Sequence, residues 1–472
     1  MSDFLESVSP ADSADLVGRF PVADASSVHA AVTRARAAFP AWRDAGFEGR
    51  AAVLTHFAAL VQSRVEELAE LIAREVGKTL WDARAEAKLL APKVAVTLGD
   101  GMRLVAPLRP APGQRATWRP RGVLAVFGPF NFPAHLPNGH IVPALATGNT
   151  VVFKPSELTP TVGAWMVERW REAGLPRGVL ECVQGGPDTG RALVASQVDG
   201  ILFTGSWTTG RALLQATLDT PGKLLALELG GSNPVIVCAD ADLDLAVAET
   251  ALSIAATTGQ RCTCARRLFV ARPLIDAFQE RLCRVLAGLR VGPPLEAGVF
   301  MGPLVSVAAQ QRFEAQRAGA RAAGGERVLG VDPGLPPPYV GAGLVRFARA
   351  RQLHRYQREE MFGPEAALYP FDELDEAIAA ANDSDYGLAA SVMTRSRASY
   401  EHCVGRVRTG LLNWNKGTVG ASGRLPFGGS ARSGNDRPAG VTSTLYCTAV
   451  QAHLENEGGF DPETLPPGMP RP

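Results

Sequence analysis

From residue 123 onward the chain is written in short apolar runs separated by helix-length stretches. Val123–Phe127, Val151–Phe153, Val179–Val183, Ile201–Phe203 and Leu224–Leu227 are each followed within three residues by Gly or Pro. Runs of that length read as strands. Strands alternating with helices imply a parallel sheet covered by helices on both faces. A second set repeats the pattern: Val235–Val237, Arg267–Val270, Ala367–Tyr369 and Gly410–Asn413. Two α/β units are therefore expected, in keeping with 472 residues, too many for one ordinary core.

Ahead of these units, residues 26–105 carry a helical period. Val28, Ala31, Val32, Ala35 and Phe39 share one face, and Leu54, Phe57, Leu60, Val61, Leu68 and Leu71 continue it. The segment 106–122 holds Pro107, Pro110, Pro112 and Pro120 among four arginines, the pattern of an exposed extended arm. Gly324, Gly325 and Pro333–Pro338 mark a surface loop, and the proline-rich 456–472 reads as a flexible tail.

The net charge of +1 gives no support for a nucleic-acid or membrane-surface partner. No apolar run approaches the roughly 20 residues that span a bilayer. Met1-Ser2-Asp3-Phe4-Leu5-Glu6 has no signal-peptide pattern. Seven cysteines, an odd count, fit reduced thiols in a cytoplasm. Seven scattered histidines show no metal spacing, so no metal site is expected.

Chemistry concentrates in a few strings. Cys262 follows Gly259-Gln260-Arg261, and Glu228 closes the run Leu224–Leu227. A thiolate nucleophile plus a carboxylate that activates water can form and then hydrolyse a thioester. Taken alone, Cys262 could equally be a buried structural thiol, and Cys264 shares its local setting. Glu228 could be one half of a core ion pair, because a lone buried carboxylate is costly. Gly128-Pro129-Phe130-Asn131-Phe132-Pro133 is a turn whose Asn131 could donate to an oxyanion. Gly205-Ser206, with Gly210 further on, links a strand to a helix whose free N–H groups could receive a pyrophosphate.

Together these strings resemble the signatures of the aldehyde dehydrogenase superfamily. The matches are Glu228-Leu229-Gly230-Gly231, Gly259-Gln260-Arg261-Cys262-Thr263, Pro129-Phe130-Asn131-Phe132-Pro133, Lys154-Pro155-Ser156-Glu157 and Glu360-Met361-Phe362-Gly363-Pro364, in the family's order. The resemblance runs from residue 20 to residue 455. It implies Cys262 as nucleophile, Glu228 as base and Asn131 as oxyanion donor, and it makes Cys264 structural. It also implies NAD as cofactor: Lys154 and Glu157 on the adenosine ribose, Gly205, Ser206 and Gly210 beside the phosphates, Glu360 on the nicotinamide ribose and Phe362 near the ring. A carboxylate at 157 would repel a 2′-phosphate, which favours NAD over NADP.

The strings Ala134–His140, Asn413–Lys416 and Ser433-Gly434-Asn435 with Arg437-Pro438 are similar to one branch of the superfamily, which takes an acidic semialdehyde bearing two carboxylates. Asp436 departs from that branch, which has His there. Such a substrate needs cationic or polar donors. Arg437, Arg266 and Ser433 are the expected ones, with Lys416, Arg424, Asn138 and His140 as further candidates. Another acidic semialdehyde, such as glutamate 5-semialdehyde, is the alternative substrate. A non-catalytic scaffold on the same fold is the non-enzymatic alternative, opposed by the intact Asn131, Glu228, Cys262 and Glu360.

The implied fold is α/β: a Rossmann-like NAD domain over 1–107 and 123–228, a catalytic α/β domain over 229–438, and an oligomerisation element of 108–122 with 439–455. The implied assembly is a homodimer or a dimer of dimers.

Overall fold

The computed structural model describes residues 4–350 and 354–472. Met1, Ser2 and Asp3 of the N-terminal string, and residues 351–353 of the expected catalytic domain, lie outside that range.

The first sheet has five parallel strands. Its spatial order is Leu180–Cys182, Thr150–Lys154, Val123–Phe127, Gly200–Thr204, Leu224–Glu228. Alternate side chains leave opposite faces. Leu124 and Val126 point into a core with Leu54, Phe57, Leu68, Ile72 and Trp170. Val123, Ala125 and Phe127 point into another, closed by Val28, Ala31, Val32 and Ala35. Helix Ala25–Asp44 therefore covers one face, while helices Gly46–Ser63, Val65–Val76 and Pro160–Glu172 cover the other. The helical period read over 26–105 is thus divided among five helices and a π-turn, Thr97–Gly101.

The second sheet has seven strands, in the order Glu326–Gly330, Gly343–Arg346, Glu365–Phe371, Ala265–Ala271, Asn233–Val237, Ala389–Met393, Leu411–Trp414. Only the outermost pair, Glu326–Gly330 with Gly343–Arg346, is antiparallel. The run Ala265–Ala271 is buried at every position, both arginines included.

The arm is a sheet of its own. Gln114–Pro120 pairs antiparallel with Thr448–Leu454 and with Leu108–Ala111. Residues 4–21 add a hairpin, Phe4–Val8 with Leu16–Pro21, that the sequence reading did not contain. Among the described residues no helix is long and apolar enough to cross a membrane.

Candidate active site

The two large sheets meet end to end. In the first, Asn131 follows Val123–Phe127, Lys154 ends Thr150–Lys154, Gly205 and Ser206 follow Gly200–Thr204, and Glu228 ends Leu224–Glu228. All four strands are parallel, so these residues share the carboxyl edge, where α/β sheets bind ligands. In the second sheet, Gly230 and Gly231 precede Asn233–Val237, Cys262 precedes Ala265–Ala271, and Glu360 and Phe362 precede Glu365–Phe371. These lie at the amino edge. Residues 228–233 join the two edges, and the contacts of Asn131 with Gln260 and of Phe130 with Phe362 bring them together at one crevice.

Glycines allow that convergence. Gly259 has φ +72°, and a Cβ on it would collide with the backbone of Gly363 and Pro364. A side chain on Gly230 would run into the Glu360 carboxylate, and one on Gly231 into the carbonyl of Cys262. The Glu-Leu-Gly-Gly, Gly-Gln-Arg-Cys and Glu-Met-Phe-Gly-Pro strings thus pack directly on one another. Gly231 N–H donates to Glu360 Oε1 at 3.0 Å. Phe362 meets Phe130 edge-on with ring centres 5.8 Å apart, bridging the two sheets across the crevice.

Cys262 is half-buried, and Cys264 is buried with its thiol toward the carbonyl of Ala256. Burial, followed by the carboxylates of Glu360 and Glu228, pushes the Cys262 thiol up, while Arg261 opposes them. Glu228 is 5% exposed. Among the described residues its Oε1 accepts only the Ala439 N–H, at 3.3 Å, and its buried Oε2 has no partner. Burial holds this carboxyl well above its ordinary value. Burial also raises Glu360 to about 7. Two carboxyls raised above their ordinary range in one crevice fit the pattern of a proton-transfer site. Asn131 is buried and donates through Nδ2 to the carbonyl of Gln260 at 2.8 Å.

The carboxyl edge of the first sheet fits a dinucleotide. Lys154 is buried, its ammonium donating to Pro155 O at 3.0 Å and lying 3.6 Å from Glu157 Oε2, so donor capacity remains. Burial lowers its pKa. Glu157 is exposed. Ser206 caps helix Trp207–Ala216, accepting the Thr209 N–H at 3.3 Å, and the other N-terminal N–H groups lack intrahelical acceptors. Gly210 lets that helix sit against Leu229.

Four expected substrate donors are engaged elsewhere. Arg266 is buried, with its guanidinium on the carbonyls of Gly259, Ala265 and Glu365. Ser433 is fully buried, donating to Gly230 O at 2.7 Å and accepting from Gly387 N–H. Asn138 donates to Leu90 O inside the core. His140 is clasped between Tyr446 Oη and Thr204 Oγ1, and burial pushes it down to about 3. Arg437 is exposed, its guanidinium on the Asp436 carbonyl. Lys416 and Arg424 are exposed too.

Sequence reasoning missed Asn233. It donates to the carbonyls of both Cys262 (2.7 Å) and Cys264 (2.8 Å) while accepting the Ala389 N–H, and so fixes the nucleophile loop. An Asn opening an otherwise apolar strand was the available signal. The carboxylates Asp82 and Glu86, described below, were missed as well.

The crevice, its thiol and its dinucleotide edge define an aldehyde-oxidising enzyme, and the chain belongs to the aldehyde dehydrogenase family, whose model matches residues 2–452. It uses a nicotinamide cofactor and acts on a small-molecule aldehyde. It is 43% identical over 453 residues to the N-succinylglutamate 5-semialdehyde dehydrogenase of Paraburkholderia xenovorans (strain LB400), covering 95% of this chain and 93% of that one. An NAD-dependent aldehyde dehydrogenase from Sinorhizobium meliloti superposes with a TM-score of 0.92 at 30% identity, over 98% of this chain and 93% of that one. A glyceraldehyde-3-phosphate dehydrogenase, GapN, from Methanocaldococcus jannaschii DSM 2661, complexed with NADP, does so with 0.88 at 25%, over 95% and 98%.

Proposed function

We propose that the chain oxidises N-succinylglutamate 5-semialdehyde to N-succinylglutamate, in arginine catabolism, with NAD as oxidant. The similarity to the Paraburkholderia enzyme across 95% of the chain carries the substrate. The exposed Glu157, three residues from Lys154, supports NAD, since a carboxylate there favours ribose hydroxyls over a 2′-phosphate.

The Cys262 thiol gives its proton to solvent, and the thiolate adds to the aldehyde carbon. The oxygen that gains the negative charge is held by the Asn131 amide and the Cys262 backbone N–H. A nicotinamide held by Glu360 and Phe362 would supply the acceptor for the hydride that this carbon gives up. Collapse to the carbonyl leaves a thioester on Cys262. Glu228 takes a proton from water, the water oxygen bonds to the acyl carbon, and the sulfur leaves as thiolate. Dividing oxidation from hydrolysis replaces one difficult step by two easier ones. The Oε2 of Glu228 supports this role, because among the described residues no protein donor occupies the oxygen that is to take the water proton.

Arg437, Lys416 and Arg424 are the cations proposed to receive the two substrate carboxylates. We also take 1–107 with 123–228, and 229–438, as the two functional domains. The three-stranded sheet exposes Leu108, Val450 and Leu454, which supports a homodimer or dimer of dimers built on it. Seven free thiols support a cytoplasmic location.

NADH formation is to be measured with N-succinylglutamate 5-semialdehyde, glutamate 5-semialdehyde, acetaldehyde and propionaldehyde. The succinylated substrate should exceed the simple aldehydes in kcat/KM by at least about 100-fold, the worth of two charge-assisted contacts. Equal kcat/KM for propionaldehyde would overturn the substrate and leave the family standing.

A further inference from the structure

Helix Leu80–Ala87 takes no part in the chemistry above, yet it buries two carboxylates between the loops that carry that chemistry. Asp82 and Glu86 lie one turn apart on the same helix face and are 1% and 0% exposed. Asp82 accepts the Thr257 hydroxyl at 2.5 Å and the Arg261 guanidinium at 2.6 Å. Arg261 Nε donates back to the same hydroxyl at 2.8 Å. Glu86 Oε1 accepts the N–H groups of Ala134 and His135, both at 3.0 Å, and its Oε2 accepts Lys78 Nζ at 2.8 Å. Lys78 also donates to the carbonyl of Asn131 at 3.2 Å. The Phe132 ring is in contact with both cations, its centre 3.4 Å from Lys78 Nζ and 4.9 Å from Arg261 Cζ.

The cluster is electrically balanced, with two cations and two anions. Stability alone is a poor reason to bury it, because apolar residues of the same volume often serve as well or better. Its connections point to a reason. One half ties down the loop 131–135, which carries Asn131. The other ties down the turn 257–262, which carries Cys262. That turn is strained: Thr257 and Thr258 both sit at φ 53°, a left-handed conformation that β-branched residues avoid. Such residues persist where their surroundings over-determine them, and functional sites are where they gather. Here Asp82 holds the Thr257 hydroxyl, and the Gly302 carbonyl holds that of Thr258 at 2.9 Å.

We propose that Lys78, Asp82 and Glu86 are positioning residues, a buried ionic clamp that sets the placement of the Asn131 amide relative to Cys262 before substrate arrives. The proposal rests on the roles given above to Asn131 and Cys262. None of the three touches the reacting atoms. They act through the two loops, and pre-alignment of oxyanion donors is what makes those donors effective.

The test measures the pre-steady-state rate of NADH formation in Asp82→Asn and Glu86→Gln, well below their unfolding temperatures. Glu75→Gln is the control. Glu75 is an equally buried carboxylate, accepting from Ser7, Thr161 and Val162 away from both loops. The clamp variants should slow the step by about tenfold or more with KM for NAD changed less than about twofold. Glu75→Gln should lose thermal stability and keep the rate. Thr257→Val, a gentler change, should slow the step, and Thr257→Ser should restore it. In an Asn131→Ala background, Glu86→Gln should cost less than about twofold further, since its effect passes through Asn131. Wild-type rates in the clamp variants, or the same loss from Glu86→Gln in both backgrounds, would overturn the clamp. A wild-type rate in Asn131→Ala itself would sink the reading of Asn131, and the clamp with it.

Discussion

The side-chain amide of Asn131 donates to the backbone carbonyl of Gln260 at 2.8 Å, two residues before the thiol of Cys262. One amide N–H is thereby occupied and oriented, and the other remains for a substrate oxygen. Removing the amide by Asn131→Ala should lower kcat/KM by about 100- to 1000-fold, the usual effect of losing one oxyanion donor. NAD binding, followed by fluorescence titration, should be unchanged. A loss below about threefold would mean that this amide serves only the loop.

Cys262 and Cys264 should separate cleanly. Cys262 is half-buried at the crevice, and Cys264 is buried against Ala256. Cys262→Ala should abolish dehydrogenase activity and Cys264→Ser should keep most of it. Peptide mapping after iodoacetamide should place inactivating label on Cys262. Label on Cys264 alone, tracking inactivation, would reverse the assignment.

The pH dependence of turnover follows from Glu228. Its folded pKa lies well above 4.5 because of burial. The base form therefore accumulates only as pH rises through that elevated range, and thioester hydrolysis should increase over it. Steady-state kcat against pH should show an acid limb displaced above the ordinary carboxylate region. In Glu228→Gln that limb should disappear.

The two α/β units were legible because a buried strand such as Val123–Phe127 shows its apolar run whatever surrounds it. Its observed bounds match those read from the sequence. Ala389–Met393 was missed because its first three residues, Ala-Ala-Ser, are small and carry little strand preference, even though the strand is paired on both sides within the second sheet. The arm 106–122 was read as extended, but its partner Thr448–Leu454 lies more than 300 residues away and leaves no local trace. Arg266 misled for a related reason. Consecutive arginines look solvated in a sequence, and the carbonyls that absorb this guanidinium come from Gly259, across the nucleophile turn, and from the distant Glu365. Asp82 and Glu86 look like the polar face of a surface helix until Lys78, Arg261 and the 134–135 amides close over them.

His140 makes a stability prediction. It is neutral in the folded chain, with a pKa pushed down to about 3 from 6.5 by burial. The unfolded chain protonates it readily, so its contribution is full above pH 6.5 and declines as pH falls toward 3. The decline approaches about 1.4 kcal/mol per pH unit. Chemical denaturation at pH 7.5 and 5.5 should show wild type losing about 1.4 kcal/mol more than His140→Gln. Equal losses would mean that the imidazole titrates normally.

Glu157 should set cofactor choice. Wild type should prefer NAD over NADP in kcat/KM, and Glu157→Ser should narrow the gap, because the carboxylate no longer opposes the 2′-phosphate. Equal kcat/KM for both cofactors in wild type would show that Glu157 does not face the ribose.

The proposed mechanism turns on a thioester at Cys262 that Glu228 hydrolyses. Glu228→Gln should give a burst of NADH close to one per active site, then slow turnover. Mass spectrometry of the acid-quenched enzyme should find the acyl group on the peptide containing Cys262. A variant that turns over at the wild-type steady-state rate, with no acyl adduct on that peptide, would contradict the mechanism.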